Sequence, residues 1–370
     1  MYALSSGMHY SVGYVDKSPY LHSDVPHSRV GEITKICVAL SKSDWDAYET
    51  SWDFTSSPLL TLDHRAETLE ASYTLLRTNW QRMTEEMQRL EEENSRIFID
   101  AYGLHDELFP EVPLEEITLT CNPAYRYGVK GSEEDRETRL RADTTAELIS
   151  YAVGCMFGRY ALEEPGLILA NQGETIEDYL ERVPEPSFPA DDDNVIPMLD
   201  GDWFTDDITE RFREFLRVAF GEENYEDNLR FVEQALGKDI RKYFLKDFYN
   251  DHVRRYKKRP IYWLFSSPKG SFNALVYLHR YNESTLAEMR TDYVIPLTTK
   301  LASYVEKLEQ DKDASTSAAE AKAIEKELSK LYKQQTELNT FDEKLRHYAD
   351  QRISLDLDDG VKVNYGKFGD

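Results

Sequence analysis

The sequence has no apolar run that approaches the roughly 18 residues needed to span a bilayer, although hydrophobic residues make up 41% of its 370 positions. Residues 1–10 contain neither a basic region nor a long apolar segment, so we expect no secretory signal. Cysteine is scarce: Cys37, Cys121 and Cys155 are odd in number and far apart. This usage argues against a disulfide framework and is typical of reduced core thiols in a cytoplasmic protein.

The sequence also lacks the short motifs that usually mark a catalytic centre. It contains no Walker-type phosphate loop, no Gly-x-Ser-x-Gly nucleophile turn and no His-Glu-x-x-His zinc motif. His22, Asp24 and His27 offer metal-ligating atoms, but no cysteine or second cluster lies nearby, so they are better interpreted as surface polar residues. The acidic run at residues 191–193 lacks the spacing of a calcium loop. We therefore predict no catalytic and no metal site, and a protein that binds and positions a partner.

Negative charge dominates the composition. The net charge is -25, which argues against a protein coated all over for nucleic acid. The charge is uneven, however, because residues 236–280 contain eleven Lys and Arg against three Asp. One basic segment of about +8 therefore lies in an otherwise acidic molecule.

The densest cations of this segment form what we call the basic stripe: Arg254, Arg255, Lys257, Lys258, Arg259 and Lys269. Adjacent cations that end a helix can contact several phosphates, and the turn at residues 267–271 can offer backbone N–H groups to another. The stripe therefore predicts contact with nucleic acid. Two alternatives stay open, because cations suit any helix C-terminus and the stripe could pair internally with acidic residues. We expect Tyr262, Trp263 and Phe265 to lie in the core rather than to stack on bases.

Hydrophobic periodicity predicts a mainly helical α+β fold. Apolar residues in steps of four and three form a heptad seam over residues 69–97, with a polar exception at Asn94, and Gly103 ends this helix. Two further stripes, at 297–308 and 324–345, predict an antiparallel helical hairpin. Short strands are predicted at 117–120 and 261–265, each within apolar surroundings. Residues 206–220 and 226–256 are expected to form two more helices, the second stopped by Pro260.

The pattern suggests four segments. Residues 1–60 are mixed, 61–104 form a long spacer helix, 105–200 are a mixed helix and loop region, and 201–370 are a C-terminal helical domain. Residues 163–201 contain five prolines and the acidic run, so we expect a long surface loop or linker there. The tail at 353–370 alternates around a turn and is expected to form a small β-hairpin.

One near-motif is Asn122-Pro123-Ala124-Tyr125, which follows the predicted strand at 117–120. Amino-directed DNA methyltransferases use an Asn-Pro-Pro-Tyr loop after a strand to hold the amino group of a flipped base. Here the second proline is Ala124, and no Gly-rich loop for S-adenosylmethionine precedes the motif. A proline-fixed turn is the preferred interpretation.

Several longer strings resemble the C-terminal region of the PglX family, the adenine-specific DNA methyltransferases of BREX phage-defence systems. The most specific are KRPIYWLFSSPKGSF at 258–272 and YLHRY at 277–281. Further strings occur in the same order, at 46–54, 98–104, 151–160, 165–173 and 355–365, and more loosely at 8–20, where target-recognition domains end. The family is similar to type IIG and type IIL restriction–modification enzymes. The resemblance covers nearly the whole chain.

The resemblance implies a role in site-specific N6-adenine methylation of host DNA and in phage exclusion. In that family the catalytic domain, its S-adenosylmethionine loop and its Asn-Pro-Pro-Tyr motif lie upstream, so we expect no cofactor on this chain and no activity from it alone. The implied function is a non-catalytic DNA-binding and scaffolding region. Expected partners are double-stranded DNA, other BREX proteins and a phage-encoded inhibitor, with no membrane. The alternative is a protein-interaction module that docks those BREX proteins or that inhibitor.

Overall fold

The computed structural model describes residues 26–368 of the chain. Helices, with 3-10 and π segments included, make up 63% of these described residues and accompany one three-stranded antiparallel sheet, which confirms the mainly helical α+β fold. The chain divides into two compact units, each described by itself below. The first comprises the described part of Met1–Trp45 with Arg77–Glu137, and the second comprises Asp46–Leu76 with the described part of Thr138–Asp370. The expected division into four segments stays a prediction.

Long helices dominate the first unit. Helix α1 is His27–Asp46, and α2 is Leu69–Tyr102, whose first two turns belong to the second unit. The heptad seam is confirmed as a buried face: its buried members in α2 are Leu69, Leu76, Trp80, Met83, Met87 and Leu90. Asn94 is half-buried within the same helix. The seam therefore serves packing within the chain.

The predicted strand at 117–120 is absent from the structure. A 3-10 turn at Leu114–Glu116 is followed by irregular chain and by the short helix α3, Pro123–Tyr127. The carboxylate of Asp44 accepts the backbone N–H groups of Thr120 and Cys121 at 2.6 and 2.9 Å. The side chain of Asp44 therefore satisfies two backbone N–H groups that would pair with a neighbouring strand if this segment lay in a sheet.

The second unit contains the remaining helices and the sheet. Helix α4 is Glu133–Met156, which begins at the edge of the first unit, and α5 is Ile176–Arg182. The others are α6 Ile208–Phe220, α7 Tyr225–Leu236, α8 Ile240–Tyr243, α9 Tyr249–Arg255, α10 Thr285–Glu288, α11 Ile295–Ala314, α12 Ala318–Asp350 and α13 Val361–Gly366. One-turn π-helices at Phe244–Phe248 and Met289–Val294 join α8 to α9 and α10 to α11.

The sheet lies inside the second unit. Its strands are β1 Val195–Pro197, β2 Tyr262–Ser266 and β3 Asn273–Tyr277, in the order β1-β3-β2. Both pairings are antiparallel, and Val276 of β3 faces Val195 on one side and Trp263 on the other. The predicted strand at 261–265 is confirmed as β2. Because β1 pairs across a long stretch of sequence, periodicity alone contains no signal for it.

The prediction of a surface loop or linker at 163–201 is wrong. This segment contains α5 and β1, and residues 194–199 are all buried. Its acidic run is held from within, because Arg280 donates to the backbone carbonyls of Asp191 and Asp192 at 2.7 and 2.9 Å. Burial and the neighbouring carboxylate of Asp193 raise the pKa of Asp191 well above its usual value. The run is thus a structural cluster and not a solvated linker.

The helix expected over 226–256 is interrupted. Helix α7 ends where Gly237 takes a left-handed conformation with φ 67°, which glycine adopts without steric cost. Asp239 then begins α8, and its side chain accepts the backbone N–H of Lys242 at 2.9 Å. The chain therefore turns between α7 and α8 before it reaches the basic stripe.

The helical hairpin is confirmed. Helices α11 and α12 pack through two buried rows: Leu297, Leu301, Val305 and Leu308 against Leu328, Leu331, Leu338 and Leu345. The expected β-hairpin in the tail is wrong, because residues 361–366 form α13 after a 3-10 turn at Leu357–Asp359. The side chain of Asn364 donates to the carbonyl of Gly360 at 3.2 Å and fixes that turn locally.

We expect Leu338→Ala to lower the free energy of unfolding by about 2–5 kcal/mol, because it leaves a cavity in a fully buried row of the hairpin. Glu343 is exposed on the same helix, so Glu343→Ala should change stability by less than about 0.5 kcal/mol. Urea unfolding followed by circular dichroism measures both variants. Equal unfolding midpoints for the two would contradict this packing.

Candidate nucleic-acid interface

The basic stripe begins where α9 ends. Lys257 and Lys258 both take left-handed backbone conformations, with φ of 51° and 65°. Their N–H groups donate to the carbonyls of Arg254 and Val253 at 3.1 and 2.8 Å, so the cap of the helix fixes this turn. Non-glycine residues rarely adopt positive φ, and the surrounding structure must hold them there. The two lysines are therefore presented on a defined turn.

The structure separates the cations of the stripe into two groups. Lys257, Lys258 and Arg259 are exposed, and within residues 26–368 no carboxylate pairs with them. Arg254 is also exposed, but its guanidinium donates to Asp251 at 2.7 Å. Such a surface pair contributes little and leaves Arg254 available to a stronger partner.

Arg255 belongs to the second group, because it points inward. Its side chain is 18% exposed and lies 3.8 Å from the carboxylate of Glu49, which is itself 6% exposed. Tyr256 and Ser150 donate to the same carboxylate at 2.8 and 2.6 Å. The geometry therefore supports an internal ion pair between Arg255 and Glu49.

A buried histidine ties the stripe to the sheet. The Nε2 atom of His252 accepts the backbone N–H groups of Ile261 and Tyr262, both at 3.1 Å. Burial, together with the positive charges of Arg255 and Arg159, lowers the pKa of His252 to about 3. The imidazole is thus neutral at physiological pH and free to accept both donors. No sequence pattern indicates this role, because both contacts form only once α9 packs beside β2.

The aromatic residues that follow the stripe are core residues, as expected. Tyr262 and Trp263 are buried, and Tyr262 stacks on Phe157 with ring centroids 5.1 Å apart. Phe265 is half-buried and meets Phe368 edge-on at 5.5 Å. These three rings are therefore committed to packing rather than presented to bases.

The turn at 267–271 was expected to offer N–H groups to a phosphate, but an internal carboxylate occupies those donors. Glu337 of α12 accepts from the hydroxyl of Ser267 and the backbone N–H of Lys269, both at 2.6 Å, and from the hydroxyl of Ser271 at 2.5 Å. Partial burial opposes ionisation, but these hydrogen bonds outweigh it and lower the pKa of Glu337. The ammonium group of Lys269 remains exposed beside the turn.

Comparison with known proteins gives two long matches. The chain is 40% identical, over 98% of its length, to the adenine-specific methyltransferase BrxX of Escherichia coli O9:H4 (strain HS). It is 37% identical, again over 98% of its length, to the adenine-specific methyltransferase PglX of Lacticaseibacillus casei (strain Zhang). The chain corresponds to a portion of the PglX-like BREX proteins. It spans 30% and 29% of the lengths of these two relatives, and no family model matches it.

The near-motif of this PglX-like portion is a helix cap. The side chain of Asn122 accepts the backbone N–H of Ala124 at 3.0 Å, as the cap of α3. Its amide nitrogen donates to the carbonyls of Leu114 and Ile117 at 2.7 and 2.9 Å. Both amide hydrogens of Asn122 are therefore used, and because the side chain is only 2% exposed, its oxygen is not accessible to the amino group of a base. The geometry supports a structural role for the motif, as preferred, but Pro123 begins a short helix rather than fixing a turn.

The described residues do not fit S-adenosylmethionine either. Such nucleotide-like cofactors bind at the carboxyl edge of a parallel sheet, beside a Gly-rich turn and a helix N-terminus. The sheet found in residues 26–368 has three antiparallel strands, so it offers no such edge.

Two further predictions, of no metal site and of no membrane-spanning segment, extend to residues outside the described range. Of the possible metal ligands, His22 and Asp24 lie outside the described residues, as does the loosely matching string at 8–20. Over residues 26–368, no group of three His, Cys, Asp or Glu side chains is arranged to hold a metal ion. In the same range, no helix has the length and apolar content to cross a membrane.

We expect Glu337→Gln to flatten the acid side of the stability profile. The folded-state pKa of Glu337 lies below its unfolded value of about 4.3. Its contribution is therefore complete above about pH 4.3 and is lost as the pH falls through the folded-state pKa. Thermal unfolding of both proteins between neutral and acid pH measures this. Parallel profiles below about pH 4.3 would show that the carboxylate contributes no pH-dependent stability.

Proposed function

We propose that this chain is a non-catalytic DNA-binding and scaffolding region from the C-terminal part of a BREX site-specific N6-adenine DNA methyltransferase. The observation that carries the proposal is the group of exposed cations Lys257, Lys258 and Arg259 on a fixed turn. In this proposal they contact phosphates of double-stranded DNA, and the long helix α2 acts as a spacer.

The charge distribution supports a local contact with DNA. In a chain of net charge -25, a phosphate backbone is attracted only where cations are concentrated and free. The turn after α9 meets both conditions, and the buried His252 anchors it to β2. Contacts of this kind fix the register of a protein on a duplex without reading its sequence.

The relatives support the wider setting. Both are adenine-specific methyltransferases by name, and the chain spans less than a third of each. We infer that methyl transfer, and the S-adenosylmethionine it consumes, belong to the remainder of the full-length protein. The DNA to be modified and defended lies in the bacterial cytoplasm, so we expect the chain to act there.

We expect replacement of Lys257, Lys258 and Arg259 by alanine to weaken binding to a short labelled duplex. Removing one cation that neutralises a phosphate should reduce the slope of log Kobs against log salt concentration by about 0.9. The variant should therefore show a slope smaller by about two to three units, measured by fluorescence anisotropy over a salt series. Alanine keeps the Cβ atom, so the left-handed turn meets the same steric conditions as before.

The matched control removes three exposed lysines elsewhere in the second unit: Lys307, Lys344 and Lys362. It makes the same change in net charge and should leave the slope close to that of the unmodified protein. If the two triple variants have equal slopes, the turn makes no phosphate contacts and this part of the proposal is wrong.

A second candidate function is a docking module for other BREX proteins or for a phage-encoded inhibitor. Exposed apolar side chains in the second unit favour it: Trp52 is 98% exposed and Leu62 is 95% exposed. Tryptophan is enriched among the residues that contribute most to binding at protein–protein interfaces, so an exposed Trp52 favours this function.

We expect Trp52→Ser to reduce co-purification of BREX proteins with the tagged full-length methyltransferase after nuclease treatment. Leu167, which is 38% exposed, offers a control as Leu167→Ser. Equal recovery with both variants would show that Trp52 contributes nothing to docking.

A further inference from the structure

A second basic surface lies away from the turn after α9. It is an open cleft of about 1380 Å³ in the second unit, lined by the start of α8, the turn at 267–271 and one face of α12. Lys242 comes from α8, Lys246 comes from the π-helix that follows α8, and Lys269 comes from the turn at 267–271. The cleft is larger than the roughly 300–1,000 Å³ usual for small-molecule sites.

Helix α12 contributes a row of four lysines: Lys322, Lys326, Lys330 and Lys333. They are spaced by four, four and three residues, so they share one face of the helix. Each helical residue rises about 1.5 Å, which places the first and last Cα atoms about 16 Å apart. All four side chains are exposed. The row therefore presents positive charge along a line rather than at a point.

Most cations of the cleft have no carboxylate partner within residues 26–368. The unpaired ones are Lys242, Lys246, Lys269, Lys322, Lys326 and Lys333. Lys330 lies 3.4 Å from Asp200 in an exposed pair, which contributes little. Arg241, by contrast, is held by Asp202 and Asp207 at 2.5 and 3.1 Å. The available charge is thus carried by lysines.

Acidic residues in the cleft are fewer and partly committed. The lining holds eight Lys and Arg against four Asp and Glu, a net charge of about +4. Glu337 accepts hydrogen bonds from the turn at 267–271, and Asp239 caps α8. A concave surface of one charge concentrates the local potential. The cleft therefore attracts anions although the chain as a whole is strongly acidic.

We propose that this cleft binds the phosphodiester backbone of a nucleic-acid strand along the lysine row of α12. A single phosphate could contact only one or two lysines of a row about 16 Å long. Successive phosphates of one strand advance about 3.4 Å along the duplex axis and also turn about it, so only about two to three of them face a straight row of this length. The inference rests on the proposed function for its choice of DNA as ligand, but it concerns different residues.

The type of cation favours nucleic acid over an acidic protein. Protein–protein interfaces are enriched in arginine and depleted of lysine, whereas lysine is an established phosphate ligand that acts as a point charge. The six unpaired cations of the cleft are all lysines. Contacts in the cleft come from ammonium groups and not from the backbone N–H of Lys269, because Glu337 already accepts that donor.

The test replaces Lys322, Lys326 and Lys333 with alanine in the full chain and measures binding of the short duplex over a salt series. We expect a weaker complex and a slope reduced by about two to three units, because each neutralised phosphate contributes about 0.9 to the slope. The control is again the triple variant at Lys307, Lys344 and Lys362. A single-stranded oligonucleotide and inorganic phosphate serve as competitors.

Each outcome decides between the two proposals. A reduced slope in the cleft variant supports the cleft, whether or not the variant at the turn after α9 behaves in the same way. If the slope falls only in the variant at that turn, the cleft proposal fails and the proposed function stands. Inorganic phosphate that displaces the duplex at equal phosphate concentration would show an ion site rather than a strand site, and would overturn the proposal. Failure of the unmodified chain to bind either oligonucleotide overturns both.

Discussion

Burial of the central strand β3 is the constraint on which the second unit depends. Residues 274–277 are buried, so the N–H and C=O groups of both strand edges must find partners inside the protein. Strand β2 supplies one edge from nearby in sequence, whereas β1 supplies the other from a distant segment. The pairing with β1 draws residues 194–199 into the core. The amide of Asn194 closes the end of the sheet by exchanging hydrogen bonds with Tyr277.

The same strand pair positions both basic surfaces. The turn after α9 leads into β2 through His252, and the turn at 267–271 joins β2 to β3 beside the lysine row of α12. The two ends of β2 therefore each connect to a surface of exposed cations. Since β2 and β3 are held by sheet hydrogen bonds, these surfaces are fixed to a rigid element, which favours the binding of an extended anion.

Internal carboxylates determine which cations remain available. Glu49 holds Arg255, Glu337 occupies the donors of the turn at 267–271, and Asp207 fixes Arg241. At the two basic surfaces, the cations that lack such a partner are exposed. A chain with a large excess of acid can therefore still present concentrated positive charge, and its acidic composition does not oppose a role in a DNA methyltransferase. Phosphate contacts of this kind position the duplex, while base recognition and methyl transfer need other groups.

The sequence alone determined the elements whose signals are local. The seam of α2, the hairpin of α11 and α12, and β2 all follow from periodicity within one segment, and the core position of Tyr262 follows from its apolar surroundings. The surface position of Lys257, Lys258 and Arg259 follows from their charge. Only the tertiary structure decided that residues 163–201 enter the core, that residues 117–120 form no strand, and that Arg255 turns inward. Each of these depends on partners distant in sequence, such as β3, Asp44 and Glu49, and periodicity carries no information about contacts between distant segments.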